Sequence, residues 1–377
     1  MLARAEGDPL EWLRLIRSRK IGAVSFHRLV AEYGSVHAVL GALPDIARAS
    51  GVQDYALCPI EVVRAELAEG RALGARLLLC GASDYPADLA TLPDAPPILW
   101  ARGDIGLLQR PMVAIVGARN ASSLGLRMAR RLADGLGGAG QVVVSGLARG
   151  VDAAAHEAAL ASGTVAVQAG GVDVIYPAEN TELAAEILSR GCLVSEQPMG
   201  MVPQVRHFPQ RNRIVSGLAR AVVVVEAAAR SGSLITARTA GDQGREVLAV
   251  PGHPFDARAS GCNILIREGA TLVRGVGDIL EAVGVPTGQM PRLAVVAETM
   301  EPLPDPLPGP VLMRRPLSDI AAVHGEILAR LGPSPLAEDQ LIRDLAMAPA
   351  MLAPALITLE LEGRITRQAG GLLSRVT

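Results

Sequence analysis

The chain has 377 residues, half of them apolar, with 36 basic against 38 acidic side chains for a net charge of −2. That length carries two or three domains and at least one large core, while the charge excludes a protein coated in positive charge and leaves room only for a local basic patch. The four cysteines, Cys58, Cys80, Cys192 and Cys262, form no CxxC pair and no Cys/His cluster with metal spacing, so neither disulfides nor a structural zinc is expected.

The first segment, MLARAEGDPLEWLRLIRSRK, lacks a continuous apolar signal core. No later run approaches the ~20 apolar residues that span a bilayer, so a soluble cytoplasmic protein without membrane contact is expected. Lys20 is the only lysine. A GxxxxGK[ST] phosphate loop is therefore excluded, as is a Schiff-base lysine in the large middle region. Residues 9 to about 70 show helical apolar spacing broken by single glycines, which predicts a bundle of short helices within a module at 1–75.

From 76 to 285 the pattern changes to short β-rich runs: ARLLLC, PPILWA, MVAIVG, QVVVSG, TVAVQAG, CLVSEQ, RAVVVVEA, REVLAVPG and ATLVRG. Near-continuous apolar strands separated by amphipathic helices predict a mostly parallel sheet covered on both faces, a doubly wound α/β domain. Residues 286–316 are rich in proline, which disfavours helix and sheet interior, and read as a linker. The segment 317–377 has three amphipathic helical stretches and two β-prone pieces joined by AGG, the outline of a winged helix-turn-helix. Its middle helices carry more acid than base, so DNA and protein contacts both stay open.

In open parallel sheets ligands gather beyond the carboxyl ends of the strands, where helix N-termini point unpaired amides. Four loops end there. In GARNASS, Gly117 allows close approach, Arg119 supplies a planar two-pronged donor, and Ser122 or Ser123 offers an N-cap hydroxyl. In SGLARGVDAAAH, Ser145, Gly146 and Gly150 keep the turn small, and Arg149 and Asp152 can order it as an ion pair; Asp152 reads equally as a helix-capping acid, and His156 as a satisfied residue of the helix.

The third stretch, VRHFPQRNRIVSGLARAVVVVEA, sets Arg206, Arg211, Arg213 and Arg220 in one run with Phe208, and from Gln197 to Val225 there is no acid. Arginines for phosphates and a ring for a base are what unpaired nucleic acid requires, although charge alone also describes a solvated basic face. In EAAARSGSLITA, Ser231, Gly232 and Ser233 form a backbone anion nest. Several such cups on one sheet edge suit successive phosphates better than one pyrophosphate. GxGxxG is absent from the first loop, and no acid ends the VVVS strand as a ribose clamp, so no dinucleotide cofactor is expected.

Taken together, VGARNASSLG, SGLARGVDAAAHEAAL, GGVDVIYPAEN, SEQPMG, FPQRNRIVSGLARAVVVVEAAARSGSLITARTA, GREVLAVPG and GCNILIREGATLV resemble the bacterial DNA-processing protein A family, also called DprA or Smf. The resemblance implies a non-enzymatic protein without cofactor or metal that binds single-stranded DNA on an extended Rossmann-like domain. Around it the family carries an N-terminal SAM-like helical module and a C-terminal winged-helix (DML1-like) module. It further implies a homodimer that loads RecA recombinase onto incoming single-stranded DNA in natural transformation. Arg119 matches the arginine of the family's GxR motif, and Phe208, Arg211, Asn212 and Arg213 match its FPxRNR motif, so these residues are expected to touch DNA, with Gly117, Ser122, Gly146, Arg149, Ser231, Gly232 and Ser233 of the neighbouring loops. Family dimers pair through the segment that is here Asn263 to Leu272, with Ile266 and Leu272 as the apolar contacts, although the same residues also read as core. His207, Gln210 and Gln168 depart from the usual choices and bear on affinity.

Two enzymatic readings stand beside this one. A related Rossmann-like superfamily cleaves nucleotide N-glycosidic bonds, and Glu226 is the acid-base position such an enzyme would use; its PGGxGT turn is replaced here by ARSGSLITA. A two-metal nuclease needs clustered carboxylates, whereas Asp152, Asp173 and Glu226 fall on different loops.

Overall fold

The structure, a computed structural model, describes residues 7–285, 317–368 and 372–376. The chain divides into two compact units, Met1–Val283 and Gly284–Thr377. The expected linker, 286–316, lies outside the described residues. Among the described residues no helix is long and apolar enough to cross a membrane.

The first unit opens with four helices, α1 (Pro9–Arg17), α2 (Ala23–Tyr33), α3 (Val36–Ala49) and α4 (Ile60–Ala72). Local chemistry sets their ends. The Asp8 carboxylate accepts from Leu10 N at 2.9 Å ahead of Pro9, the Ser35 hydroxyl caps α3 through Ala38 N at 3.1 Å, and α2 stops at Gly34, whose φ of 81° suits glycine. Their apolar faces meet around Trp12 and Phe26, whose ring centroids are 5.1 Å apart.

Nine strands follow with helices between them: β1 (Arg76–Leu79), α5 (Ala87–Ala90), β2 (Ile98–Gly103), β3 (Met112–Val116), α6 (Ser123–Gly138), β4 (Val142–Ser145), α7 (Val151–Ala159), β5 (Thr164–Val167), α8 (Thr181–Arg190), β6 (Cys192–Ser195), α9 (His207–Leu218), β7 (Ala221–Val224), α10 (Ser233–Asp242), β8 (Glu246–Ala249), α11 (Ser260–Arg267), β9 (Thr271–Leu272) and α12 (Val276–Ala282). Each of the nine β-rich runs became one strand. They form a single sheet in the order β1-β2-β6-β5-β4-β3-β7-β8-β9. From β6 to β9 every pairing is parallel, whereas β2 runs antiparallel to β6 and β1 antiparallel to β2. Parallel neighbours need a crossover of a dozen or more residues, usually a helix lying over the sheet, and the four-residue α5 between β1 and β2 is too short for that.

Progress along the sheet reverses at β3. Successive strands β4, β5 and β6 extend to one side of it, and β7, β8 and β9 to the other. The crevice beyond the carboxyl ends of β3, β4 and β7 is therefore the topological switch point, where open α/β sheets hold ligands.

The expected boundary near residue 75 is not a break in the packing. Trp12, Phe26, Leu78 and Trp100 belong to one continuous hydrophobic core. Buried Glu66 of α4 accepts from Arg17 Nε at 3.0 Å, Arg17 Nη2 at 2.8 Å and Trp100 Nε1 at 2.8 Å, and Arg17 Nη1 donates to Glu196 O at 3.1 Å. The helical bundle is thus fastened to the antiparallel side of the sheet.

The second unit has α13 (Leu317–Arg330), β10 (Leu336–Ala337), α14 (Glu338–Leu345), α15 (Pro349–Leu361), β11 (Ile365–Gln368) and β12 (Leu372–Arg375). Its sheet runs β10-β12-β11, entirely antiparallel, over a core that includes Ile327, Leu341, Leu356 and Leu373. The three helices and two strands read from the sequence are present, with the short β10 added.

Candidate nucleic-acid interface

A cavity of about 650 Å³ occupies the switch-point crevice. Gly117 ends β3 against its neighbours: a Cβ there would lie 2.7 Å from Val151 Cγ2 and 3.0 Å from Glu226 O, so only glycine lets the three loops close up. Two residues on, Arg119 lines the cavity and sets its guanidinium carbon 5.5 Å from the centre of the Phe208 ring, a cation–π contact.

Ser122 does not join them. Its amide donates to Glu226 Oε2 and its hydroxyl to Glu226 Oε1, both at 2.7 Å, while the hydroxyl accepts from Gly125 N at 3.0 Å. The hydroxyl expected to meet an anion is a buried N-cap turned toward a carboxylate from the end of β7. Glu226 is consumed in the same contact. A buried carboxylate holding the first turn of α6 through two hydrogen bonds, and not lining the cavity, is badly placed to move a proton on a bound nucleotide.

The loop after β4 holds the floor. Asp152 is buried, accepts from Gly146 N at 3.2 Å and Ala148 N at 3.3 Å, and so folds the turn onto the start of α7. The expected Arg149–Asp152 pair is replaced: Arg149 Nη1 stands 3.6 Å from Glu179, on the exposed rim, because Asp152 points inward to the amides. His156 is fully buried, with Nδ1 2.8 Å from Thr164 Oγ1, and burial pushes its pKa down to about 3, as befits a neutral core histidine.

Helix α9 sorts the arginines by face. Phe208, Arg211, Asn212 and Val215 recur at helical spacing and line the cavity. Arg213 looks the other way. It donates to Asp94 O at 2.6 Å and forms an ion pair with Glu196, so this arginine ties α9 to the antiparallel side of the sheet and does not line the crevice. Arg211 is 7% exposed, and its Nη1 donates to Val167 O at 3.2 Å while its Nε has no partner. Burial pushes its pKa down, the Asp152 carboxylate opposes that, and the Arg119 charge adds to it. Burial likewise pushes Asp152 up, with Arg211 opposing. Gly146 makes room for this guanidinium, since a Cβ there would overlap it.

Across the crevice, the turn after β7 presents Ser231, Gly232 and Ser233 at the start of α10, with the two hydroxyl oxygens 2.7 Å apart. Arg230 and Arg258 also line the cavity, and neither was singled out in the sequence. Both lie on the loops that follow strands β7 and β8, which is the signal that could have found them. Arg258 is oriented by Asp256, through Nε to Oδ1 at 3.2 Å and Nη2 to Oδ2 at 3.3 Å. Among the described residues no three His, Cys, Asp or Glu side chains gather where a metal ion could sit.

Arg119, Phe208, Arg211, Asn212 and the Ser231–Ser233 turn therefore share one crevice with Gly117 and Gly146; Arg149 borders it, and Ser122 and Arg213 do not take part. Comparison with known proteins bears on what such a crevice serves. The family described as DNA recombination-mediator protein A matches residues 76–284, a DprA-like N-terminal HHH domain matches 6–68, and a DprA winged helix domain matches 311–371. Protein Smf of Escherichia coli K12 is 37% identical over 290 residues, covering 76% of this chain and 74% of that one. DNA processing protein DprA of Streptococcus pneumoniae is 46% identical over 198 residues, 52% of this chain and 70% of that one. The solved structure of the pneumococcal protein has a TM-score of 0.64 at 37% identity and covers 73% of this chain and 98% of its own. A structure of DNA processing protein A from Helicobacter pylori, described for its single-stranded DNA binding mode, has a TM-score of 0.51 at 31% identity over 55% of this chain and 94% of its own. With a doubly wound core, a helical bundle before it and a winged helix after it, the chain belongs to the DNA recombination-mediator protein A family.

Proposed function

We propose that the chain binds single-stranded DNA along the switch-point crevice as a platform without catalytic activity. The observation that carries this reading is the placing of Arg119 on the Phe208 ring beside the buried, incompletely bonded Arg211. Two neighbouring cations face the single carboxylate of Asp152, which leaves positive charge for an anion, and the ring supplies a face for a base. The hydroxyls of Ser231 and Ser233 and the arginines at 230 and 258 continue the same character across the crevice, which suits a run of phosphates. The Helicobacter pylori relative, described for single-stranded DNA binding, supports the reading.

Binding of a labelled oligothymidylate should weaken with salt at a log-log slope of about −0.7 per phosphate contacted. Arg119→Ala is expected to lower affinity alike for all base compositions and to flatten that slope by about one contact. A flat salt response of the unaltered chain, or equal affinity for duplex, would sink the reading.

The same reading takes in a homodimer. Leu272 is 41% exposed on β9, the last strand of the sheet, and half-buried Ile266 precedes it on α11. An edge strand with an exposed leucine is a pairing surface. Sedimentation should show a dimer that Leu272→Asp converts to monomer; a monomeric parent chain at micromolar concentration would remove this part. In the cytoplasm, such a dimer on incoming single-stranded DNA would present it to RecA recombinase during natural transformation. Stimulation of RecA filament formation on strands coated by a single-strand-binding protein tests that step.

A further inference from the structure

Resting on the single-strand reading, we propose that Tyr176 is a second stacking platform for an unpaired base, adjacent to Phe208 on the loop that follows β5. The chain has only three Phe, four Tyr and two Trp. Trp12, Trp100, Phe26 and Tyr85 are buried, Tyr55 spends its hydroxyl on Arg19 O at 2.8 Å beneath the Arg19 guanidinium, and the exposed rings of Tyr33 and Phe255 line neither the crevice nor the recess beside it. Tyr176 is different. It is 46% exposed, its ring centroid stands 5.7 Å from that of Phe208, and it lines a small recess with Arg119, Gly146, Phe208 and Arg211.

The two rings are inclined at 52°, so they cannot clamp one base between parallel walls. Each offers its face to a different base, and the strand turns a corner between them. The loop beneath Tyr176 is rigidly held. Asn180 Nδ2 donates to Leu147 O at 2.9 Å, tying it to the β4 loop, and Asp173 accepts from Gly200 N at 3.0 Å on the other side. A ring fixed in this way loses little freedom when a base stacks on it, which is what a preorganised contact requires.

The test uses the full chain and fluorescence anisotropy with labelled oligothymidylate across a salt series. Tyr176→Ala should weaken binding roughly tenfold, within the range for one lost base–ring stack, at unchanged salt slope. Tyr176→Phe should stay within about twofold of the parent, since stacking needs the ring and not the hydroxyl. In Tyr176→Trp, oligonucleotide should quench the new indole well beyond any change from buried Trp12 and Trp100. Parental affinity in Tyr176→Ala, a slope reduced as in Arg119→Ala, or an unquenched indole overturns the proposal while leaving the single-strand reading intact. A parent chain that does not bind oligothymidylate overturns both.

Discussion

Arg211→Ala is expected to lower the stability of the folded chain by about 3–5 kcal/mol and to abolish oligonucleotide binding, the two effects having one origin. The guanidinium is buried between the β4 loop and α9, where Gly146 leaves it just enough room. Its loss leaves the Asp152 carboxylate, equally buried, with backbone amides and no neighbouring cation. The crevice loses its deepest positive charge at the same time.

The pH dependence separates charge from packing. Burial already raises Asp152 above its ordinary value of 3.8 and Arg211 holds it back, so removing Arg211 raises it further. A carboxyl whose folded-state pKa is raised binds its proton more tightly folded than unfolded. Stability then falls as pH climbs from the unfolded value to the folded one, and is level above it. The deficit of the variant against its parent should therefore be smallest near or below pH about 4 and complete at neutrality. Urea unfolding at both pH values measures it, and adding Asp152→Asn should restore much of the loss. A deficit that ignores pH and is not rescued would assign the effect to the cavity left behind.

Glu66→Ala should destabilise by a similar ~3–5 kcal/mol and yet leave oligonucleotide affinity within about twofold. Its carboxylate satisfies Arg17 twice and the indole of Trp100 once, and none of these residues lines the crevice. The truncation strands a partly buried arginine and a buried indole N–H where the helical bundle meets the sheet. Because bundle and sheet share one core, they should melt together in one transition that shifts down as a whole, whatever transition the second unit, with its separate core, contributes. Separate melting of bundle and sheet within the first unit, with only the bundle displaced, would mean that the bundle folds independently.

The inner strands β3 to β7 were legible because a strand buried on both faces is a continuous apolar run. Direction was not legible for β1 and β2, since an apolar run looks the same in either orientation. The motif FPQRNR shows how a stretch treated as one basic loop misleads. Folded as α9, it sends Arg211 into the crevice and Arg213 toward Glu196, a division that helical periodicity implies once the helix is identified. Ser122 was unreadable for another reason: its partner, Glu226, is 104 residues away, and only the parallel pairing of β3 with β7 brings them together. Tyr176 was passed over inside GGVDVIYPAEN, although scarcity of aromatic residues marks each exposed ring as worth explaining.

Lys20, the chain's single lysine, stands beyond α1 with a φ of 65°, on the helical bundle, so every cation of the crevice is a guanidinium. Guanidinium groups keep their charge at any pH a cell experiences, and acetyltransferases and ubiquitin ligases modify amines. Enzymes that acetylate or ubiquitinate lysine thus find no residue in the crevice with which to discharge it.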